Sequence, residues 1–189
     1  MTGKRSILIL AFAVCLTLLC AEFNPAEAGW RGAACSPAAK VAEFKQSFSD
    51  RNKGSIRELL MQAGDPEKLD GSTKPILLYL TRTDPKVAKK VKTWEMAQLS
   101  KDEVVIGVKA FECYMVDADS LEKDDVILQK IGKHKAPGFY TFQGGTLLFK
   151  AEGMPKSGTI FTCLKKSVSK VYKASLDKVV KKVRGIEKD

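Results

Sequence analysis

Five cysteines and one histidine are the side chains of this 189-residue chain that could act as nucleophiles, redox centres or soft metal ligands. No two cysteines have the C-x-x-C spacing of a dithiol motif or a zinc knuckle. With His134 as the only imidazole, a zinc site would lack ligands. We therefore expect neither a metal nor a cofactor. The cysteines are Cys15, Cys20, Cys35, Cys113 and Cys163.

The N-terminal segment decides which of these cysteines remain. Lys4 and Arg5 precede an apolar run of about fifteen residues, and Ala26-Glu27-Ala28 provides the small residues that signal cleavage requires. The run is shorter than the roughly twenty residues that span a bilayer. We interpret residues 1–28 as a signal peptide cleaved after Ala28, with export to the periplasm or out of the cell and no remaining transmembrane anchor. Lipidation of Cys20 is the alternative, and the residues before it fit that poorly.

Three cysteines then occupy a compartment that permits disulfides, and they allow one bridge at most. Which pair would close, if any, stays open. Cys113 falls in a predicted central strand and Cys163 inside the last predicted helix, where burial makes a thiol inert. Cys35 precedes the first mature helix and is the weak candidate for a reactive thiol, or for a bridge onto the domain.

The remaining candidates, five carboxylates and the histidine, have neither the spacing of a calcium loop nor the partners of a catalytic site. Five carboxylates lack the glycine and closing glutamate of a calcium loop, so helix capping and solvation explain them. No nucleophile with a matched base can be built around His134, which lies between two lysines. The carboxylates are Asp117, Asp119, Glu122, Asp124 and Asp125.

The mature chain divides into a helical extension over residues 29–73 and a main domain over residues 74–170. In the extension, Ser36 and Pro37 predict a capped helix start and Phe44 and Phe48 recur at helical spacing. A second short helix is predicted from Ser55. The main domain has the order strand, helix, strand, helix, hairpin, helix, which predicts an α/β fold with helices on both faces of a mixed sheet. Its predicted elements are Pro75–Leu80, a helix begun by Thr83-Asp84-Pro85, a strand over 104–116, a helix over 121–131, a hairpin turning at Gly144-Gly145, and a helix capped by Ser157 that continues to Gly185.

Over about residues 74–169 this order resembles the thioredoxin-like fold family, whose members are three-layer sandwiches around a central mixed sheet. The resemblance is carried by the strand from Pro75, by the strand that ends in Val116-Asp117, and by Ala136-Pro137 at the head of a strand. In that family the proline at this position follows a cis peptide bond beside the active site. The resemblance therefore implies a cis bond at Ala136-Pro137.

The sequence departs from the family at the positions that carry the family's redox chemistry. The family carries C-x-x-C at the start of the helix after the first central strand, where the helix dipole stabilises a thiolate. This chain has Thr83-Asp84-Pro85 there, and we expect Asp84 to act as an ordinary helix cap. The resemblance thus implies the fold without the redox pair, and we lean against an enzyme. It also implies a shallow groove for extended polypeptide, lined by Thr83, Asp84, Pro85, Ala136 and Pro137.

The net charge of +10 is concentrated at the C-terminus, where residues 157–189 hold nine basic and three acidic residues. Six of them predict a basic stripe on a helix that continues, over residues 171–189, past the family's usual end. Such a stripe is usually solvated, although it can lie on an anionic membrane or polymer. We expect no nucleic acid, because no stacking aromatics stand among these residues. The apolar face of this extension is predicted to pack on the N-terminal helices, with a second subunit as the alternative. The six are Lys166, Lys170, Lys173, Lys181, Arg184 and Lys188.

Three function hypotheses follow. The first is a non-catalytic protein-binding or structural module of the cell envelope. The second is a divergent thiol-disulfide oxidoreductase that uses a single cysteine, with Cys35 as its candidate. The third is binding to anionic membrane or polymer surfaces through the basic C-terminal helix.

Overall fold

The computed structural model of the chain describes residues 36–50 and 75–183. The predicted signal segment, Cys35, the helix predicted from Ser55, Arg184 and Lys188 lie outside the described residues. The elements are α1 (Pro37–Gln46), β1 (Ser49–Asp50), β2 (Ile76–Thr81), α2 (Pro85–Gln98), α3 (Asp102–Val108), β3 (Glu112–Asp117), a 3-10 turn (Ala118–Ser120), α4 (Val126–Ile131), β4 (Gly138–Gln143), β5 (Thr146–Glu152), α5 (Ser157–Tyr172) and α6 (Leu176–Val183).

The strands form one mixed sheet in the order β1-β3-β2-β4-β5. Strands β2 and β3 are parallel, and α2 with α3 supplies the crossover that a parallel pair requires. Strand β4 runs antiparallel to β2 and to β5, with the turn at Gly144 and Gly145, both at positive φ. Strand β1 adds a two-residue parallel pair to β3. The predicted α/β class, mixed sheet and hairpin are confirmed.

Helices cover both faces of the sheet. On one face, Leu78, Leu80 and Tyr140 pack in a buried cluster with Ile127 and Ile131 of α4. On the opposite face, Tyr79 stacks on Phe139 with ring centroids 4.8 Å apart. Phe44 of α1 and Trp94 of α2 contact the same aromatic pair, and Ser167 of α5 hydrogen-bonds Thr141 of β4 at 2.7 Å. The described part of the chain is thus a three-layer arrangement, because the alternating side chains of the strands bury two apolar faces.

A buried carboxylate ties α1 to this core. The Glu95 side chain is 5% exposed, accepts a hydrogen bond from Tyr79 Oη at 2.8 Å and pairs with Lys45 Nζ at 2.8 Å. Burial, with the adjacent Glu95 charge, raises the pKa of Tyr79 far above its ordinary value, so the phenol stays protonated and donates. Helix α1 itself begins as predicted, with Ser36 Oγ accepting from the amide of Ala39 at 3.2 Å.

The apolar run over 104–108 is helical, so the predicted strand begins only at Glu112. The β-branched composition of the run indicated a strand, yet Val104 and Val108 are completely buried. A short helix buried on all sides has no polar face, so its periodicity cannot be told from that of a buried strand. The helix predicted from Leu121 also begins later, at Val126, because Asp125 Oδ1 caps the amide of Ile127 at 2.9 Å.

The C-terminal helix predicted as continuous is two helices. Lys173 adopts the left-handed conformation with φ 55°, which ends α5 at Tyr172, and α6 begins at Leu176. Leu176 and Val180 are buried, and α6 packs chiefly on α3 and α5 rather than on α1. The expected Ser157 cap is also wrong: the residue is the first of α5, and its amide donates to Gln98 Oε1 at 2.9 Å.

Gly107 lies where α3, α5 and α6 meet, and a side chain there would be crowded. A Cβ at this position would lie 3.0 Å from Leu164 Cδ1 and 3.4 Å from Leu176 Cδ2. We predict that Gly107→Leu lowers the free energy of unfolding by about 2 kcal/mol, as overpacking a close-packed core does. Urea denaturation followed by circular dichroism measures the change.

The matched control is Gly158→Leu in α5, where a Cβ would meet nothing within 4 Å. Both substitutions gain helix propensity, so only the crowding differs between them. Equal stabilities for the two variants would contradict the packing assigned to Gly107.

Candidate functional site

Two loops predicted to form a groove lie side by side at one edge of the sheet. Leu80 of β2 pairs with Gly138 of β4 as the last pair of this ladder, so the residues that follow Leu80 and those that precede Gly138 leave the sheet at the same edge. The Ala136–Pro137 peptide bond is cis, as the resemblance implied. We call the space between Thr83–Pro85 and Ala136–Pro137 the candidate groove; it includes every groove residue predicted from the sequence.

The main chain of Ala136 offers a donor and an acceptor to this groove. Within the described residues neither its amide nor its carbonyl makes a hydrogen bond, and the residue is half-buried. Pro137 is fixed beside it, because its carbonyl accepts from the amides of Gly153 at 3.0 Å and Met154 at 3.3 Å. An extended chain could therefore pair with a rigid strand end.

The opposite wall is the start of α2, and Asp84 caps it as predicted. Asp84 Oδ1 accepts from the amide of Lys86 at 2.8 Å, and Pro85 occupies the first helical position. Trp94 holds the helix to the domain, since its Nε1 donates to the carbonyl of Pro155 at 2.9 Å. This wall presents a hydroxyl and a carboxylate and contains no sulfur.

Asp119, from the turn after β3, braces the loop that leads into α2. Its Oδ2 accepts from the amides of Thr83 at 3.0 Å and Asp84 at 2.9 Å. Its Oδ1 accepts from Arg82 Nε at 2.8 Å and pairs with the second guanidinium nitrogen at 2.7 Å. Asp117 accepts from the Thr83 hydroxyl in the same cluster. The amides of the two residues that lead into α2 are thus occupied by an internal carboxylate.

The hydrogen bond from Arg82 is the main cause that lowers the pKa of Asp119 below its ordinary range. Partial burial opposes this shift, and the two loop amides add to it. The same pairing raises the pKa of Arg82. Because the carboxyl pKa is lowered, the brace is complete above about pH 4 and is lost as the pH falls through the lowered value.

Glu152 braces the other wall. Its Oε1 accepts from Tyr140 Oη at 2.8 Å and from the amide of Lys135 at 3.2 Å, while Lys150 Nζ lies 3.1 Å from Oε2. Burial acts to raise the pKa of Glu152, but these donors together outweigh it and the pKa is lowered. Burial, followed by the hydrogen bond to this carboxylate, raises the pKa of Tyr140. Both walls are therefore held by carboxylates that stay ionised at neutral pH.

The other chemical candidates lie away from the groove walls or lack partners for catalysis. Cys113 and Cys163 are buried, as predicted. Burial raises the pKa of the Cys163 thiol to about 11, and Cys113 Sγ donates to the carbonyl of Val108 at 3.3 Å. His134 is exposed, and its Nδ1 lies 3.1 Å from the carbonyl of Gly132. These residues form no nucleophile and base pair.

The predicted basic surface does not follow one helix. Lys166 and Lys170 are exposed on α5, Lys173 stands at the break, and Lys181 is exposed on α6. Lys170 Nζ lies 5.8 Å from the centroid of the Phe149 ring. The helical spacing that joined these residues in sequence fails at the left-handed Lys173.

Sequence reasoning missed Arg82, Asp119 and Glu152 as residues that shape the site. One signal was present, because Arg82 and Asp119 both follow the carboxyl ends of adjacent parallel strands, which meet at one edge of a sheet. Nothing in the sequence pattern singled out Glu152, whose partners come from β4, β5 and the loop before β4.

Over residues 36–50 and 75–183, no group of three or more His, Cys, Asp or Glu side chains could hold a metal ion. In the same ranges, no helix combines the length and apolar character needed to cross a membrane. No family model matches the chain, and no curated protein is significantly similar to it.

We predict that Asp119→Ala speeds hydrogen exchange of the Thr83 and Asp84 amides about tenfold, because each loses a bond to a charged acceptor. In the unaltered protein, those two amide resonances should shift only as the pH falls through the lowered pKa of Asp119, below the ordinary value of about 3.9 for an aspartate. Residue-resolved NMR measures both effects.

Asp124→Ala is the control, since Asp124 is an exposed acid in the neighbouring loop and its side chain makes no hydrogen bond within the described residues. If Asp119→Ala left both amides as protected as Asp124→Ala does, the brace would not hold this loop.

Proposed function

We propose that the chain is an exported thioredoxin-like protein that binds extended polypeptide in the candidate groove and performs no thiol chemistry there. The observation that carries the proposal is the pairing of two braced walls: a loop leading into α2 whose amides donate to Asp119, and a strand end where Ala136 has main-chain groups without hydrogen bonds in the described part of the chain. Export rests on the predicted signal segment over residues 1–28.

The strand order and register support the thioredoxin-like part of the proposal. The structure has a parallel strand pair with a helical crossover, an antiparallel hairpin beside it and a final helix. This is the element order on which the resemblance rests. The cis Ala136–Pro137 bond lies next to the start of α2, where the resemblance implied it.

The loss of redox chemistry is supported by what replaces the thiols. A thiol becomes an attacking thiolate when its pKa is lowered, as it is at a helix N-terminus. Here the first amide of α2, that of Lys86, donates to Asp84 Oδ1, and the Cys163 thiol has a pKa of about 11 in the interior. Single-cysteine catalysis would therefore depend on Cys35, which lies outside the described residues.

The third hypothesis, in which a basic amphipathic helix binds an anionic surface, is weakened because apolar residues of α6 are buried in the protein. Leu176 and Val180 of α6 are buried against the domain, while Val179 is exposed. A helix that lies in a membrane interface needs its apolar face available for the lipid. The C-terminal lysines are better explained as a solvated surface.

We predict that a neutral extended peptide binds the isotopically labelled mature protein and shifts the amide resonances of Thr83, Asp84, Lys86, Lys135, Ala136 and Gly138. Main-chain pairing with Ala136 should move these resonances, while those of α5 stay constant. NMR titration measures the shifts, and Thr83→Trp should weaken the binding about tenfold by filling the groove.

Thr162→Trp is the matched control, because Thr162 is an exposed threonine on α5. Shifts confined to α5 or α6, or equal affinities for the two tryptophan variants, would place the peptide elsewhere and refute the groove as the binding site.

We also predict that the mature protein reduces insulin disulfides no faster than free cysteine at the same thiol concentration. The physical reason is the high pKa and burial of Cys163 together with the absence of sulfur from the start of α2. Turbidity measures the reduction. A markedly faster rate that disappears in Cys35→Ser would favour the single-cysteine oxidoreductase instead.

A further inference from the structure

Exposed lysines flank the candidate groove on both sides. Lys86, Lys89 and Lys90 are exposed on the first two turns of α2, and Lys133 and Lys135 are exposed in the loop before the cis bond. None of the five ammonium groups forms an ion pair within the described ranges 36–50 and 75–183. Their charge is therefore available to a ligand.

The carboxylates at the same sheet edge are already engaged. Asp84 caps an amide of α2, Asp119 holds Arg82 and two amides, and Glu152 accepts from Tyr140 and pairs with Lys150. Asp119 and Glu152 each pair with a cation inside the protein. Beside Ala136, Lys133 and Lys135 are exposed cations that form no ion pair within the described residues.

The loop that carries two of these lysines is held in place. Lys150 Nζ donates to the carbonyl of Lys133 at 2.7 Å, and the amide of Lys135 donates to Glu152. The stem of Lys135 lies over Gly153, where an added Cβ would come within 3.7 Å of its Cδ. The ammonium groups thus extend from a fixed backbone beside Ala136.

We propose that the occupant of the groove is an acidic, extended polypeptide segment, an inference that rests on the proposed function. Its main chain pairs with Ala136, and its carboxylates lie toward Lys133 and Lys135. The exposed acids Glu122 and Asp124 follow the turn after β3, on the side of the sheet edge away from β4, and repel carboxylates there. Charge complementarity of this kind selects partners and speeds association, and salt weakens it.

The experiment compares three labelled peptides that share one extended backbone and carry glutamate, glutamine or lysine at the same four positions. Fluorescence anisotropy with the full mature chain measures their affinities at about 50 mM and about 300 mM salt, near Debye lengths of about 14 and 6 Å. Exposed pairs contribute about 1.4- to 5-fold each, so we expect the glutamate peptide to bind about tenfold more tightly than the glutamine peptide at low salt. The preference should shrink at high salt.

The double variant Lys133→Glu/Lys135→Glu should abolish this preference. Lys178→Glu/Lys181→Glu is the control of identical charge change, because both lysines are exposed on α6. If the two double variants weakened the preference for the glutamate peptide equally, the preference would depend only on net charge, and the inference would be overturned. Circular dichroism checks that both are folded, and the comparison of peptides on the unaltered protein needs no variant.

Two further measurements distinguish the acidic peptide from two other occupants of the groove, a polyphosphate and a second copy of this chain. A polyphosphate of equal charge that competes as well as the glutamate peptide would assign the lysines to polyanions in general and overturn the choice of a polypeptide. Self-association in sedimentation that is lost in Lys133→Glu/Lys135→Glu would assign the groove to a second copy of this chain, with the same consequence.

Different experimental results would contradict the acidic preference and the proposed function. If the glutamine peptide shifts the groove amides as strongly as the glutamate peptide and binds as tightly, the acidic preference is wrong and the proposed function stands. If no peptide shifts those amides, the proposed function itself fails.

Discussion

The carboxylate of Asp119 is the interaction on which the candidate site depends. It joins the turn after β3 to the loop after β2, through Arg82 and the amides of Thr83 and Asp84. A helix start leaves several amides without internal partners, and these attract a ligand, a thiolate or solvent in other settings. At α2 the amides of Lys86 and Val87 donate to the side chain and the carbonyl of Asp84, and Asp119 holds the loop just before it. The wall becomes rigid, and its chemistry is reduced to hydrogen bonding and charge.

The sheet beneath the site explains why both walls can be so close. Parallel pairing of β2 with β3 brings Arg82 and Asp119 to one edge, and antiparallel pairing of β2 with β4 brings Ala136 to the same edge. The aromatic pair Tyr79 and Phe139 lies one to two residues below that edge on these two strands. Its packing against α1 and α2, with Glu95 as an internal acceptor for Tyr79, fixes the strands on which the loops stand.

Much of the fold follows from the sequence because its signals are local. The Asp84 and Pro85 start of α2, the Ser36 cap of α1 and the glycine turn of the hairpin each act within a few residues, and all three are observed. The errors arise where distant packing decides. Residues 104–108 are helical because α5 and α6 enclose them, as the contacts of Gly107 with Leu164 and Leu176 indicate. The break at Lys173 likewise lets Leu176 turn back onto α3.

The candidate site likewise has a part that the sequence predicts and a part that only the folded structure reveals. The loops that carry the predicted groove residues leave the sheet at one edge, because an element order that specifies a sheet also specifies which strand ends are neighbours. The braces could not be predicted in that way, since Asp119 and Glu152 act across loops whose separation along the chain is set by the fold. Pattern reasoning assigned the acidic run after β3 to capping and solvation. In the structure one of its members instead holds the wall of the site, and the same contact explains why a loop without sulfur can keep a defined shape.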